Sequence, residues 1–276
     1  MSANPIYHQE FAPPIALQDA IKCFWYNRRD VGATPSNFEV VPDGYAELIF
    51  YFGNLQYKNE TIANQLPSPF LMGLLNEPVT FSTKNVLEVL GVRCYPWAVF
   101  DMLGLPSGAD KIHVFKHEIA RLHPKLAVFV QQQKIAEAIA VIQQFFETAR
   151  TGLPANSLLY KAGKAMQNTN GTLPVKEVAS AAHATVRTLE RQFKQSSGHT
   201  VKNVSALMRF EQVRNALWHH PEQSIATLAY DFGYTDQSHL SKAFKKFSGT
   251  TPAAFARNAK KQKLFAHHHF VAFVQS

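Results

Sequence analysis

The sequence predicts an α+β protein of two domains. A β-rich barrel or sandwich comes first, a helical linker follows, and an all-α domain of two helix-turn-helix units joined by a long helix comes last. Three observations carry this reading. Short β-branched and aromatic runs, broken by Pro, Gly and Asn turns, fill roughly the first 110 residues. From about residue 116 the apolar period lengthens to three- and four-residue steps. One pattern then occurs twice at a constant offset. The expected boundaries are 1–125 for the β-rich domain, 126–170 for the linker, 171–262 for the all-α domain and 263–276 for a tail.

Phe38-Glu39-Val40-Val41 and Ala46 to Phe52 read as strands, and Pro42-Asp43-Gly44 as the turn between them. Val86 to Arg93 is a further strand. Pro96 opens a short helix, Trp97 to Leu103, which Gly104 ends. Ile135, Ala138, Ile139, Ile142, Phe145 and Phe146 then mark one apolar face of a helix. That face either packs on its own domain or forms a homodimer through helix 126–150; the pattern leaves both open. Thr151 to Pro154 breaks the helix, a shorter helix follows near Ser157 to Gln167, and Asn168-Thr169-Asn170-Gly171 is a loop close to the domain boundary.

Composition narrows the function. Of 276 residues 46% are hydrophobic and 17% charged, a globular balance rather than a disordered one. Met1 to Glu10 lacks the basic start and apolar stretch of a signal peptide, and no apolar run is long enough to span a bilayer. A cytoplasmic protein with no membrane partner is expected. Cys23 and Cys94 form neither a metal spacing nor a disulfide framework and read as small buried apolar residues. The net charge is +8, and it is unevenly placed. Residues 1–165 hold 14 Lys and Arg against 14 Asp and Glu; residues 166–276 hold 14 against 6, which is the whole excess. An anionic partner, nucleic acid first, is expected for the C-terminal part.

The repeat lies in that basic part. Leu189, Phe193, Lys194, Gly198 and Thr200 reappear as Leu240, Phe244, Lys245, Gly249 and Thr251, each 51 residues on. Upstream, Ala179 lies 14 before Phe193 while Ala229 lies 15 before Phe244, so the second copy has a turn one residue longer, containing Gly233. Each copy reads as two helices. Pro174 to Ala182 precedes a helix capped by Thr185 and running to about Gln195; Ser224 caps Ile225 to Asp231, and Asp236 caps a helix to about Phe247. Val186, Leu189 and Phe193 face inward in one second helix, and Leu240, Ala243, Phe244 and Phe247 in the other. The opposite faces carry Arg187, Glu190, Arg191 and Lys194, then Ser238, Ser241, Lys242 and Lys245. Such a helix locks one stripe into a small core and offers the other to the DNA major groove. Between the copies Val201 to Trp218 reads as one helix, with Val204, Leu207, Met208 and Val213 inward. It would set the two reading helices in successive grooves about 34 Å apart, over an asymmetric site.

At these residues the sequence resembles the AraC/XylS family of bacterial transcription regulators. The second unit carries Ile225-Ala226, Ala229, Phe232-Gly233-Tyr234, Asp236-Gln237-Ser238-His239-Leu240, Phe244-Lys245-Lys246, Gly249, Thr251-Pro252, Phe255 and Arg257. The first is similar through Val178-Ala179, Arg187, Leu189, Arg191, Phe193-Lys194 and Gly198, with Arg209 on the connecting helix. Thr200-Val201 departs from the usual Ser/Thr-Pro, and Thr185 from a common Ser. The resemblance implies base reading by Arg187, Glu190, Arg191, Gln237, Ser238, His239 and Lys242. It implies backbone contacts by Thr185, Lys194, Ser241, Lys245 and Lys246. Double-stranded DNA is the implied partner, with RNA polymerase as a further one. The N-terminal half resembles a cupin-like β-barrel sensor domain often fused to such regulators, through Trp25, Pro42-Asp43-Gly44, Glu47-Leu48-Ile49, Gly73, Gly91-Val92-Arg93 and Pro96. Its implied role is to bind a small-molecule effector or to dimerise.

Trp25, Asp43, Glu47, Phe50 and Arg93 are the candidate effector-pocket residues. The alternative is a turn aspartate, an exposed strand glutamate, a structural ion pair and ordinary core aromatics. No enzyme and no cofactor is expected. A barrel metal oxygenase needs clustered His and carboxylate, and no histidine lies between His8 and His113. No nucleophile elbow, phosphate loop or Cys-x-x-Cys occurs. The tail is basic at Arg257, Lys260, Lys261 and Lys263, then apolar around His267-His268-His269. It is expected to seek phosphate and dock on the other domain; three adjacent histidines on a strand would alternate faces, against a metal set.

Overall fold

In the computed structural model, which describes residues 6–59, 62–105, 111–150 and 157–263, the N-terminal half is two antiparallel sheets packed face to face. The strands are β1 (Tyr7–Phe11), β2 (Ile21–Asp30), β3 (Ser36–Val40), β4 (Ala46–Phe52), β5 (Gln56–Asn59), β6 (Ile62–Gln65), β7 (Phe70–Met72), β8 (Val79–Thr83), β9 (Val86–Cys94) and β10 (Ile112–His113). One sheet runs β1-β2-β9-β4-β7-β10 and the other β3-β8-β5-β6. Among the described residues no strand pair joins the two sheets, so the unit is a sandwich and not a closed barrel.

The six-stranded sheet is buried on both faces, which is why β4 is apolar from Leu48 to Phe52 rather than alternating. Cys23, Trp25, Ile49, Tyr51 and Val89 face the second sheet and meet Phe38, Val40, Val79 and Phe81. Phe24, Tyr26, Leu48, Phe50, Leu90 and Val92 face a layer of helices. Those helices are α1 (Ala98–Leu103), α2 (His123–Gln131) and α3 (Ile135–Arg150). Period-2 alternation therefore removes Phe50 from the candidate pocket: it points to the face opposite Glu47. It also corrects the exposed-glutamate alternative, since Glu47 is 1% exposed.

The apolar stripe of α3 closes this layer. Ala138, Ile139, Ile142 and Phe146 are buried, and Phe146 meets Phe24 edge-on at 6.3 Å. Of the two readings the pattern left open for helix 126–150, own-domain packing or a homodimer, the buried stripe fits the first. The breaking segment 151–154 and the tail 264–276, His267-His268-His269 included, lie outside the described residues.

The C-terminal half holds α4 (Leu158–Asn168), α5 (Val175–Ala181), α6 (Val186–Ser197), α7 (Val201–His219), α8 (Ile225–Asp231), α9 (Gln237–Ser248) and α10 (Pro252–Lys263). Helix α7 is its axle. Val204, Leu207, Phe210, Val213 and Leu217 are fully buried, and Phe210 packs on Phe244 at 5.0 Å and Phe247 at 5.3 Å. Arg209 ties the units together by donating to the Gly171 carbonyl at 2.9 Å and lying over the Tyr234 ring. No helix among the described residues is long and apolar enough to cross a membrane.

The two halves touch along one seam. Trp97 packs on Phe193 at 6.2 Å. Arg214 donates to the Pro42 carbonyl at 2.9 Å, and Gly44 lies against the Leu207 backbone. The His199 ring, at the turn between α6 and α7, bonds the Leu74 carbonyl at 3.1 Å.

Candidate nucleic-acid interface

The sequence repeat is a structural repeat. α6 and α9 are both 12 residues long and start 51 residues apart. Thr185 caps α6 by accepting from Thr188 N, and Asp236 caps α9 by accepting from His239 N at 2.7 Å. Gly198 and Gly249 end them in the left-handed conformation, at φ 76° and 74°. Thr200 and Thr251 then cap α7 and α10. The turn before each reading helix needs one residue at positive φ. Gly233 supplies it in the second unit at φ 66° and His183 in the first at φ 52°, where no glycine marks it.

The inward stripes are buried as the periodicity predicts: Leu189 and Phe193 in α6, Leu240, Phe244 and Phe247 in α9. The exceptions are Val186, at 39% exposure, and Ala243, which is half-buried. On the outer faces Arg187, Arg191, Lys194, Gln237, Ser238, His239, Lys242, Lys245 and Lys246 are exposed, and Ser241 is half-buried. Three side chains have prior engagements. The Glu190 carboxylate accepts from Val201 N at 3.2 Å, which ties α6 to the first turn of α7. The Thr185 hydroxyl is occupied by its capping bond and by Thr188 Oγ1 at 3.0 Å. His239 Nδ1 accepts from Thr235 N at 3.4 Å and lies 3.3 Å from the Thr235 hydroxyl.

The N-terminal polar residues converge separately. Glu47 and Arg93 are register partners, and Arg93 Nε donates to Glu47 Oε1 at 2.7 Å. Asp43 Oδ2 lies 3.2 Å from Arg93 Nη2, close but out of line for a hydrogen bond. Trp25 lies over Gly91 of β9, where a Cβ would run into the indole, so the strand glycine makes room for the ring. Burial pushes the Glu47 carboxyl up, and Arg93 beside it opposes the rise. Burial raises the neighbouring Cys23 thiol to about 12, which keeps it protonated and inert. Glu47 Oε2 and both ring nitrogens of His8, a residue the sequence did not single out for this site, are buried without a hydrogen-bond partner. His8 comes in because β1 pairs with β2 and sets its ring 6.0 Å from Trp25. That pairing has no local sequence signal.

Comparison with known proteins places two domains on the chain. Residues 178–258 match a family described as a helix-turn-helix domain, and residues 9–110 match a domain of unknown function (DUF6597). Similar curated proteins include the HTH-type transcriptional activator RhaS of Pectobacterium carotovorum, 27% identical over 117 residues and 42% of each chain. RhaS of Mannheimia succiniciproducens is 34% identical over 76 residues, 28% of each chain. The chain thus spans less than half the length of these relatives. Among solved structures, ToxT of Vibrio cholerae aligns over 92% of this chain and 98% of its own, at 11% identity and a TM-score of 0.46. With its paired caps, its connecting helix and its family match, the C-terminal part of the chain is a helix-turn-helix domain built of two such units.

Proposed function

We propose that the protein is a sequence-specific, DNA-binding transcription regulator working in the cytoplasm. The single observation that carries this is the pair of equally long helices, α6 and α9, each capped by a side chain at its start and a glycine at its end, and each buried on one stripe and exposed on the other. They sit in the region that holds the chain's whole net charge. In this reading Arg187 and Arg191 make bidentate contacts to guanine, and Gln237, Ser238, His239 and Lys242 read the second groove. Lys194, Lys245, Lys246, Ser241 and Thr185 position the domain on phosphates. Glu190 reads a cytosine amine only with the carboxylate oxygen left over from its bond to Val201 N. RNA polymerase is a further partner of such a regulator.

The test is a mobility-shift series over salt. Arg191→Ala should cost about 1–3 kcal/mol on the specific site and relax selection at one base pair. Lys245→Ala should weaken specific and random DNA alike and lower the salt slope by about one. Equal effects of Arg191→Ala on both DNAs would remove it from base reading.

We further propose that Trp25, Asp43, Glu47 and Arg93, with His8, bind a small polar effector. The gathering of Glu47, Asp43 and Arg93 in one buried cluster beside Trp25 and His8 favours this reading. A metabolite screen by thermal shift on the full chain tests it. Hits that Glu47→Gln abolishes support it; hits indifferent to that change place the effector elsewhere.

A further inference from the structure

A second cationic site lies beside the reading helices. Lys194 from the last turn of α6, Lys202 from the first turn of α7 and Lys246 from the last turn of α9 line one cavity of about 580 Å³. Its other walls are Asn203 of α7 and its cap Thr200, apolar Ala206, Ala243 and Phe247, and Asn76 of the N-terminal domain. No lining residue is acidic, and among the described residues none of the three ammoniums is in an ion pair. The Lys246 ammonium lies over the Phe247 ring at 5.4 Å, folded against the wall rather than extended. The cavity also lies at the N-terminal end of a 19-residue helix, where the backbone dipole favours negative charge and the Glu190 carboxylate already takes the Val201 amide.

Three like charges held on three helices around one cavity repel one another, and an anion there removes the repulsion. The amides brace the wall. Asn203 Nδ2 donates to Asn76 Oδ1 at 2.8 Å, which sets the two side chains as a pair across the domain seam, and also to His199 Nδ1 at 2.8 Å. His199, also in the lining, is held neutral: burial lowers its pKa, and its Nε2 proton goes to the Leu74 carbonyl.

We infer that this cavity is a phosphate-binding site completed by the N-terminal domain through Asn76. Its ligand is a phosphate group, either a phosphodiester of the DNA backbone between the two grooves or a free phosphoanion. The first source rests on the DNA-binding reading above; the second does not. Phosphate in this pocket would then be felt by both domains, since the seam residue Asn76 forms part of its wall.

The experiment substitutes Lys202, which is exposed, as Lys202→Ala and Lys202→Arg in the full chain. One arm measures affinity for specific and random duplexes against salt. The other measures the thermal shift produced by pyrophosphate without DNA. If the ligand is the DNA backbone, Lys202→Ala lowers affinity for both duplexes several-fold and the salt slope by about one, and Lys202→Arg restores both. If the ligand is a free phosphoanion, DNA affinity is unchanged, while pyrophosphate stabilises the parent and the Arg variant but not the Ala variant. A Lys202→Ala protein indistinguishable from the parent in both arms overturns the site. A parent that binds no duplex at all defeats the DNA-binding reading, and the pyrophosphate arm alone then decides the site. Asn76→Ala reports on the seam: unchanged phosphate response in that variant overturns the contribution of the N-terminal domain.

Discussion

His199 shows how much one residue at a domain seam can be asked to do. It is 7% exposed, bonds the Leu74 carbonyl through Nε2 and accepts from Asn203 Nδ2 at 2.8 Å through Nδ1. That pattern fits only the neutral ring with its proton on Nε2. A proton added at Nδ1 would face an amide donor, with Lys194, Lys202 and Lys246 lining the cavity alongside. Burial accordingly lowers the His199 pKa. The sign follows from linkage. The unfolded chain binds the proton more readily, so the stabilisation is fully present above the unfolded value of about 6.5 and is lost as pH falls through the lower folded value. Full-chain thermal denaturation from pH 8 to pH 5 should show a fall in stability that His199→Gln reduces, because glutamine keeps a donor for Leu74 without a titrating group. Parallel losses in the two proteins would show that other groups dominate.

Helices were more legible in the sequence than strands, and the reason is local chemistry. Asp236, Thr185, Thr200 and the glycines at 198 and 249 are cap signals that act within four residues, so α6, α7 and α9 could be bounded before any contact was known. The turn of the first unit was less visible, because His183 rather than glycine adopts the left-handed conformation there. Strands depend on partners. β4 and β9 announced themselves by composition, but β1, with Tyr7, His8 and Gln9, is a strand only because β2 lies beside it. The same dependence hid which face Phe50 takes, since the strand is buried on both sides and its one charged residue, Glu47, is itself buried and marks no outer face. The capping account has a direct check. Asp236→Ala should destabilise the chain by about 0.5–2 kcal/mol and Asp236→Asn by much less, read by urea denaturation. Equal losses would mean that the carboxylate acts through charge rather than through its bond to His239 N.

On the scale of the whole molecule, α7 belongs to both halves. It carries the core of the two helix-turn-helix units, and its middle is fastened to the N-terminal domain by Arg214, which is 2% exposed. Arg214 reaches the Pro42 carbonyl and pairs with Glu211, one turn back on the same helix. Pro42 directly precedes Asp43, the residue that meets Arg93 and, through it, Glu47. A run of buried charges thus extends from the candidate effector residues to the helix that spaces the two reading helices. Buried pairs of this kind are poor stabilisers overall, but removing one partner is severe, because the other keeps its charge without compensation. Glu211 is the residue left behind: burial already raises its carboxyl pKa, and Arg214 is the main group opposing that rise. Arg214→Met should therefore cost about 3–5 kcal/mol in urea unfolding of the full chain. Glu211→Gln made together with Arg214→Met should recover a large part of that loss, because the stranded charge is gone even though the bond to Pro42 is not restored. The double variant separates two roles of the seam. If it folds and binds DNA like the parent but its affinity no longer answers an effector identified by thermal shift, the charge run couples the domains. If the effector response survives, the coupling passes instead through the apolar contacts of Trp97 with Phe193 and of Gly44 with Leu207.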